Sequence, residues 1–353
     1  MDLNFAFVGF GNVARAFARI LVERRAQLAD QYGITWRASA IATARHGCIT
    51  SDEGIDLIEA ARCVERGESL SQIRGSSTKE SSLELVDSCA ADVLFETIPL
   101  NPDDGEPAVT IIRRALERSI NVVTANKGPV AFAYSELTAL ARERKVSFRF
   151  EGTVMDGAPV FNLFERCLPA TKVLGFSGVL NSTTNLILTG MEEGRTFASC
   201  LEEAQRAGIA EANADYDIDG WDAAVKAVAL ANVLMSADLR PKDVERRGIR
   251  GISQAEVAQA VQADKAIRLV SRARITDGGL KLSALPERVS QPSPLASVRG
   301  TSNVLMIETD LMGRLAVFEH EPGVAQTAYA LLSDLISVHR DSALFRPGLD
   351  QSG

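Results

Sequence analysis

At 353 residues, 46% hydrophobic and 24% charged, the chain is long enough for two domains with their own cores and too apolar for disorder to be its default. Its formal charge of -8 leaves no basic surplus for a phosphate backbone, and no Lys/Arg cluster interleaves with aromatics, which argues against a nucleic-acid partner. No stretch approaches the roughly 20 apolar residues of a membrane helix, and the N-terminus carries neither a basic leader nor a cleavage site, so a cytoplasmic protein without a membrane partner is expected.

The five cysteines (Cys48, Cys63, Cys89, Cys167, Cys200) are odd in number and scattered, which predicts reduced thiols and neither disulfides nor a zinc site. In chain order, an apolar run over 4–8 ends in Gly9, and apolar residues then recur at helical spacing over 12–23; this predicts strand, tight turn and helix. A second strand is expected over 35–43, a helix over 53–66 and an exposed polar connection over 69–82. Strands over 91–98, 120–125 and 146–150 alternate with helices near 106–118 and 134–144. That alternation requires right-handed crossovers, hence an α/β fold whose residues 1–150 form a Rossmann-type parallel sheet. Beyond it, helices near 158–167, 183–193, 196–207 and 219–236 precede strands over 265–275, 280–285, 303–309 and 314–319, which predicts a second, α+β domain over 151–321. An apolar helix near 324–338, within about 322–340, is placed to pack back on the first domain, and 340–353 is expected to be loose.

The run Gly9-Phe10-Gly11-Asn12-Val13-Ala14 fits the dinucleotide fingerprint. Its glycines permit a tight turn and close backbone approach to a pyrophosphate, and the helix that opens at Asn12 supplies free N–H groups and a partial positive charge. The end of the second strand, Ala42 to Gly47, lacks the carboxylate that would accept the ribose hydroxyls of NAD. Arg45 stands there instead, either as a solvated loop arginine or as the partner of a 2′-phosphate, which tilts the expectation toward NADP over NAD.

Three polar clusters interrupt otherwise apolar elements. Between Gly208 and Lys226 five carboxylates (Glu211, Asp215, Asp217, Asp219, Asp222) and one lysine enter a helix that continues apolar on all faces over 227–235. Asp222 and Lys226 lie four apart on one face of it, and a charge pair on a buried helix marks a cleft more readily than a solvated salt bridge would. Lys127 follows a strand's carboxyl end, where open α/β sheets bind ligands. The turn Asn181-Ser182-Thr183-Thr184-Asn185 offers hydroxyl and N–H donors for a carboxylate, or plain helix capping.

Taken together, the strings TANKGPV (124–130), EGTVMDGAPV (151–160), GVLNSTTNLIL (178–188) and GIAEANADYDIDGWDAAVK (208–226) make the chain resemble the homoserine dehydrogenases along nearly its whole length, in their monofunctional form without a separate regulatory domain. The resemblance implies an NAD(P)-dependent oxidoreductase of threonine and methionine biosynthesis that interconverts L-homoserine and L-aspartate 4-semialdehyde, with a homodimeric second domain. By position it makes Lys226 the proton donor and acceptor and places Lys127 beside nicotinamide and substrate. Glu211 and Asp222 hold the substrate, with Asp217 and Thr183 in support, while Thr97, Gly208 and Gly323 lie near the cofactor. It also implies a monovalent cation such as sodium, on Glu151 and the backbone oxygens of Val154, Asp156 and Ala158. Ser182 stands where the family has glycine, and the loop Glu319 to Ala325 and Met155-Asp156 also depart from its pattern. These departures keep open a dehydrogenase of another small hydroxy amino acid; a catalytically silent dinucleotide sensor is the remaining alternative.

Overall fold

The computed structural model describes residues 2–211 and 213–344, so most of the polar stretch expected to be loose lies outside the described residues. The chain divides into two compact units, residues 2–157 with 323–344 and residues 158–322.

The first unit is built on a seven-stranded sheet of β1 (Asp2–Val8), β2 (Thr35–Ala42), β3 (Cys48–Thr50), β4 (Ser77–Lys79), β5 (Val93–Glu96), β6 (Asn121–Thr124) and β7 (Phe148–Arg149), in the order β4-β3-β2-β1-β5-β6-β7. β2, β1, β5, β6 and β7 run parallel, because helical crossovers return the chain to the same edge each time, and β3 and β4 add antiparallel pairs. β1 therefore lies at the switch point, pairing with β2 on one side and β5 on the other. Phe5 and Phe7 of β1 meet Phe95 of β5 with ring centroids 5.2 Å apart in each case, and Phe17 closes on Phe95 at 4.7 Å. Helix Asn12–Glu23 turns Ala14, Phe17, Ala18 and Leu21 into this core, and helix Val324–Leu344 adds Leu331, Leu335 and Val338 to it.

The second unit holds a six-stranded sheet of β8 (Val173–Val179), β9 (Glu245–Arg246), β10 (Lys265–Thr276), β11 (Gly279–Ser290), β12 (Asn303–Thr309) and β13 (Arg314–Glu319), in the order β13-β12-β8-β10-β11-β9. Its pairs are antiparallel except β9 on β11. Helices Ser182–Glu192, Trp221–Leu234 and Gln254–Gln262 pack on it, and Ser271 of β10 donates to the Ala223 carbonyl at 2.9 Å.

Several elements depart from expectation for identifiable reasons. β8, central to the second sheet, carries Gly175 and Gly178, which resemble turn punctuation; a Cβ there would stand 2.8 Å from the Ala273 carbonyl oxygen and 2.9 Å from that of Val304, so close strand pairing requires glycine. The connection expected over 69–82 contains β4, and the short helices Arg25–Tyr32 and Ser82–Ser88 lack the apolar repeat by which helices are found. The helix expected over 134–144 follows a kink at Ala133 (φ -144, ψ 18) inside Lys127–Arg144, and the one expected over 219–236 is Trp221–Leu234, preceded by a separate short helix, Asp215–Ile218, with Gly220 at φ +81 between them. The final helix runs on to Leu344.

The largest buried charge of the second unit is Arg268, fully enclosed, whose guanidinium donates to the carbonyls of Val298 (3.1 Å), Ile267 (2.9 Å) and Ala296 (3.1 Å) and pairs with Glu192. It ties helix Ser182–Glu192 to β10, so replacing it strands three carbonyls and half of a buried ion pair. Arg268→Met should lower the unfolding free energy by about 3–5 kcal/mol in urea titrations. A change below about 1 kcal/mol would show that Arg299, 2.7 Å from Glu192, carries the interaction alone.

Candidate active site

In the second unit the decisive side chain is Asn181, at the end of the loop after β8. Its Oδ1 accepts from the Thr184 N–H at 2.8 Å and caps helix Ser182–Glu192, while its Nδ2 donates to Asp217 at 2.8 Å and Asp222 at 2.9 Å. Asp222 opens the buried helix Trp221–Leu234, and one turn on, Lys226 lies 3.3 Å from the Asp222 carboxylate and donates to the Leu180 carbonyl at 2.6 Å. The two side chains are 14% and 8% exposed, so this pair is not a solvated surface bridge. Thr183 is buried beside Asp217 and shares a hydrogen bond with it. Thr183, Asp217, Asp222 and Lys226 are thus brought together around one carboxamide.

Among the described residues Glu211 lies outside this cluster: it is exposed, and its carbonyl accepts from Gln205 at 3.3 Å. Gly208, exposed at φ +70, begins the same loop. The Ser182 hydroxyl donates to the Thr301 carbonyl at 2.8 Å, so the atom by which it departs from glycine is held by backbone. The Tyr216 hydroxyl is buried without a hydrogen-bond partner among the described residues.

In the first unit the glycine turn sits at the switch point. Gly9 has φ +88, and a Cβ on it would stand 2.6 Å from the Thr97 carbonyl carbon, whereas one on Gly11 would meet nothing within 4 Å. The first position admits only glycine, and the second leaves open space over a helix start that no side chain caps. Exposed Gly11 and Asn12 and half-buried Val13 therefore form a cradle suited to a pyrophosphate. The Thr97 hydroxyl donates to the Gly9 carbonyl at 3.0 Å. Arg45 is exposed three residues past β2, in a loop held by Thr43 and His46. Lys127 is the first residue of helix Lys127–Arg144, set by the Asn126 side chain, which accepts from the Gly128 N–H at 2.9 Å. Gly323 precedes helix Val324–Leu344 and donates to Gln326.

Among the residues expected to hold a cation, Glu151 is buried with its N–H on Asp334 at 2.8 Å, Val154 is buried, and Asp156 accepts from Thr327 at 2.8 Å; Ala158 is the first residue of the second unit. Among the described residues no group of three or more His, Cys, Asp or Glu is placed for a metal ion. Glu96, at the end of β5, is a candidate that the motifs do not mark; its signal is a lone acid closing the apolar run Val93-Leu94-Phe95.

Residues 159–336 match the family model for homoserine dehydrogenase, a stretch that contains the whole Asn181 cluster. An NAD(+)-dependent homoserine dehydrogenase of Pseudomonas canavaninivorans is 36% identical over 97% of this chain and 97% of its own length. A homoserine dehydrogenase of Methanocaldococcus jannaschii is also 36% identical, over 96% of this chain and 99% of its own. The chain belongs to the homoserine dehydrogenase family. A hyperthermophilic archaeal homoserine dehydrogenase solved in complex with NADPH superposes with a TM-score of 0.81 at 32% identity, covering 99% of this chain and all of its own. Homoserine dehydrogenases are oxidoreductases that act on the hydroxyl of a small amino acid with a nicotinamide dinucleotide, which the glycine cradle fits.

Within this homoserine dehydrogenase fold Asp217 has its pKa raised, first by burial and then by the neighbouring Asp222 carboxylate, against the hydrogen bonds from Asn181 and Thr183 and the charge of Lys226. A carboxyl that binds its proton more tightly folded than unfolded makes the native state lose stability as pH rises from about 3.9 through the raised value. Asp217→Asn removes that loss. Its thermal midpoint, relative to the unchanged protein, should become more favourable between pH 4 and pH 8. A difference that stays constant or falls with pH would overturn the assignment.

Proposed function

We propose that the chain is an NAD(P)-dependent homoserine dehydrogenase that interconverts L-homoserine and L-aspartate 4-semialdehyde. The observation that carries this is the half-buried Lys226 amine, aimed by the Leu180 carbonyl and Asp222 at the head of an apolar helix. Oxidising an alcohol carbon removes a hydride and the hydroxyl proton, and the dinucleotide, when bound, takes or returns the hydride. Lys226, as the amine, accepts the hydroxyl proton and, as the ammonium, returns it in the reverse direction. Asp222 and Glu211 hold the substrate ammonium, Asp217 supports Asp222 through Asn181, and Thr183 offers a donor to the substrate carboxylate. In the first unit Gly9, Gly11, Asn12, Val13, Thr97, Lys127 and Gly323 receive the dinucleotide, and in the second unit Gly208 is the residue that the family resemblance assigns to the cofactor.

Lys226→Ala should lower kcat by on the order of 10²–10⁴ with homoserine as substrate while cofactor Kd stays nearly unchanged. Both are read on one preparation alongside its thermal midpoint. A variant that melts early yet turns over at a near-normal rate would make Lys226 a helix-stabilising partner of Asp222, and Lys127 would take its place in the mechanism.

NADP is the preferred cofactor in this reading, because Arg45 lies exposed on the loop after β2 with no carboxylate beside it from Ala42 to Gly47. One relative is named for NAD(+) and one structural neighbour was solved with NADPH, so both cofactors occur among proteins similar to this chain. A charge-assisted hydrogen bond to a 2′-phosphate contributes about 1.5–3 kcal/mol, so Arg45→Ala should reduce the NADP-to-NAD ratio of kcat/KM by roughly 10- to 150-fold. An unchanged ratio removes Arg45 from cofactor choice.

Glu151, with carbonyls of Val154, Asp156 and Ala158, is an all-oxygen donor set of the kind that suits a hard monovalent cation. The exposed Leu174, Ile275, Leu311, Met312 and Phe318 of the second unit support a homodimer built on that unit. Five unbridged cysteines accord with a cytoplasmic location.

A further inference from the structure

Glu96 is the most deeply buried carboxyl of the first unit, 0% exposed, and it stands between two turns that the dinucleotide reading needs. Its Oε1 accepts from the Ile98 N–H at 2.8 Å and from the Asn126 carboxamide at 3.5 Å, and its Oε2 accepts from the Thr124 hydroxyl at 2.6 Å. Thr124 in turn accepts from the Asn126 N–H at 2.9 Å, and Asn126 caps the helix that starts at Lys127. On the other side, Thr97 touches Gly9 through its hydroxyl and through the close approach that forbids a Cβ there. One carboxyl thus holds the Thr97 turn after β5 and the Lys127 turn after β6.

We propose that Glu96 is a positioning residue for dinucleotide binding, and that its ionised form clasps the Gly9–Thr97 seam to the Asn126 cap and so sets Thr97 and Lys127. The three groups on it all donate, which matches a carboxylate's acceptor-only character; a protonated carboxyl would keep its Thr124 contact only if that hydroxyl, which already accepts from the Asn126 N–H, turned round to accept a second bond. Across the sheet it faces Val8 of β1 and Thr124 of β6, and no charged side chain among the described residues contributes to its titration. Lys127 is the nearest ionisable group along the Thr124 to Lys127 turn. Burial, eased by the Thr124, Ile98 and Asn126 hydrogen bonds, pushes its pKa up to about 7, so the clasp loses its charge as pH falls through neutrality.

The proposal rests on the first unit binding a dinucleotide, and its test separates the two. NADH, which lacks a 2′-phosphate that would itself titrate, is bound to the full chain and followed by its fluorescence from pH 5.5 to 8.5. Wild type should bind about tenfold more weakly at pH 6 than at pH 8, the linkage expected of one proton at a pKa near 7. Glu96→Gln should lose that dependence and bind more weakly at pH 8, and Thr124→Val, which removes a bond favouring the ionised form, should move the wild-type midpoint to higher pH. Circular dichroism confirms that each variant is folded. Equal pH courses in wild type and Glu96→Gln overturn the role of Glu96 while leaving the dinucleotide reading intact, whereas no NADH binding to any of the proteins at any pH overturns both.

Discussion

The Asn181 carboxamide is where a helix cap of the second unit meets its Asp217, Asp222 and Lys226 cluster. An N-cap must offer an oxygen to a helix N–H, and two neighbouring carboxylates must each receive a donor; only a carboxamide does both at once. Aspartate at 181 would set a third carboxylate against Asp217 and Asp222, and serine would lack the second donor. The cap contributes about 0.5–2 kcal/mol, while hydrogen bonds to charged groups contribute about 1.5–3 kcal/mol each, so the two donor bonds dominate. Through them, the ends of three helices, Ser182–Glu192, Asp215–Ile218 and Trp221–Leu234, are held at one point.

The arrangement explains how Lys226 tolerates its surroundings. Helix Trp221–Leu234 is buried almost throughout from Asp222 to Asn232, and a lone ammonium there would meet a large desolvation cost. Asp222 supplies the opposite charge, the Leu180 carbonyl a polar contact, and Asn181 prevents Asp222 from bearing the whole burden of Asp217's repulsion. Polar groups so matched can stay in an apolar setting, which is where a proton transfer gains most from fixed geometry.

Much of this was legible in the residues. The five parallel strands up to Phe150, the glycine turn and the Asp222–Lys226 spacing all rest on local periodicity, and they stand as expected because tertiary packing did not need to override them. β8 was hidden for the opposite reason: its glycines answer to carbonyls of Ala273 and Val304, roughly 100 residues or more away in sequence, and a local window interprets them as turn residues. Asn181 appeared only as a member of a hydroxyl-rich turn, since its two acceptors come from 36 and 41 residues downstream. Glu211, prominent in the acidic string, proved exposed and outside the hydrogen-bonded cluster, because identity and spacing say nothing of where a loop turns its side chains.

The same contrast separates half-buried Asp217 of the second unit from buried Glu96 of the first. Asp217 has another carboxylate for a neighbour and is relieved by donors and a nearby lysine, so its proton is shared with a charged network. Glu96 has no charged neighbour in its shift and is held by three neutral donors, so burial dominates. A network of charges responds to substituting any member, whereas an isolated carboxyl among neutral donors responds chiefly to its own proton. In the first arrangement the carboxyl's charge is set by its charged neighbours; in the second it is set by burial against three neutral donors.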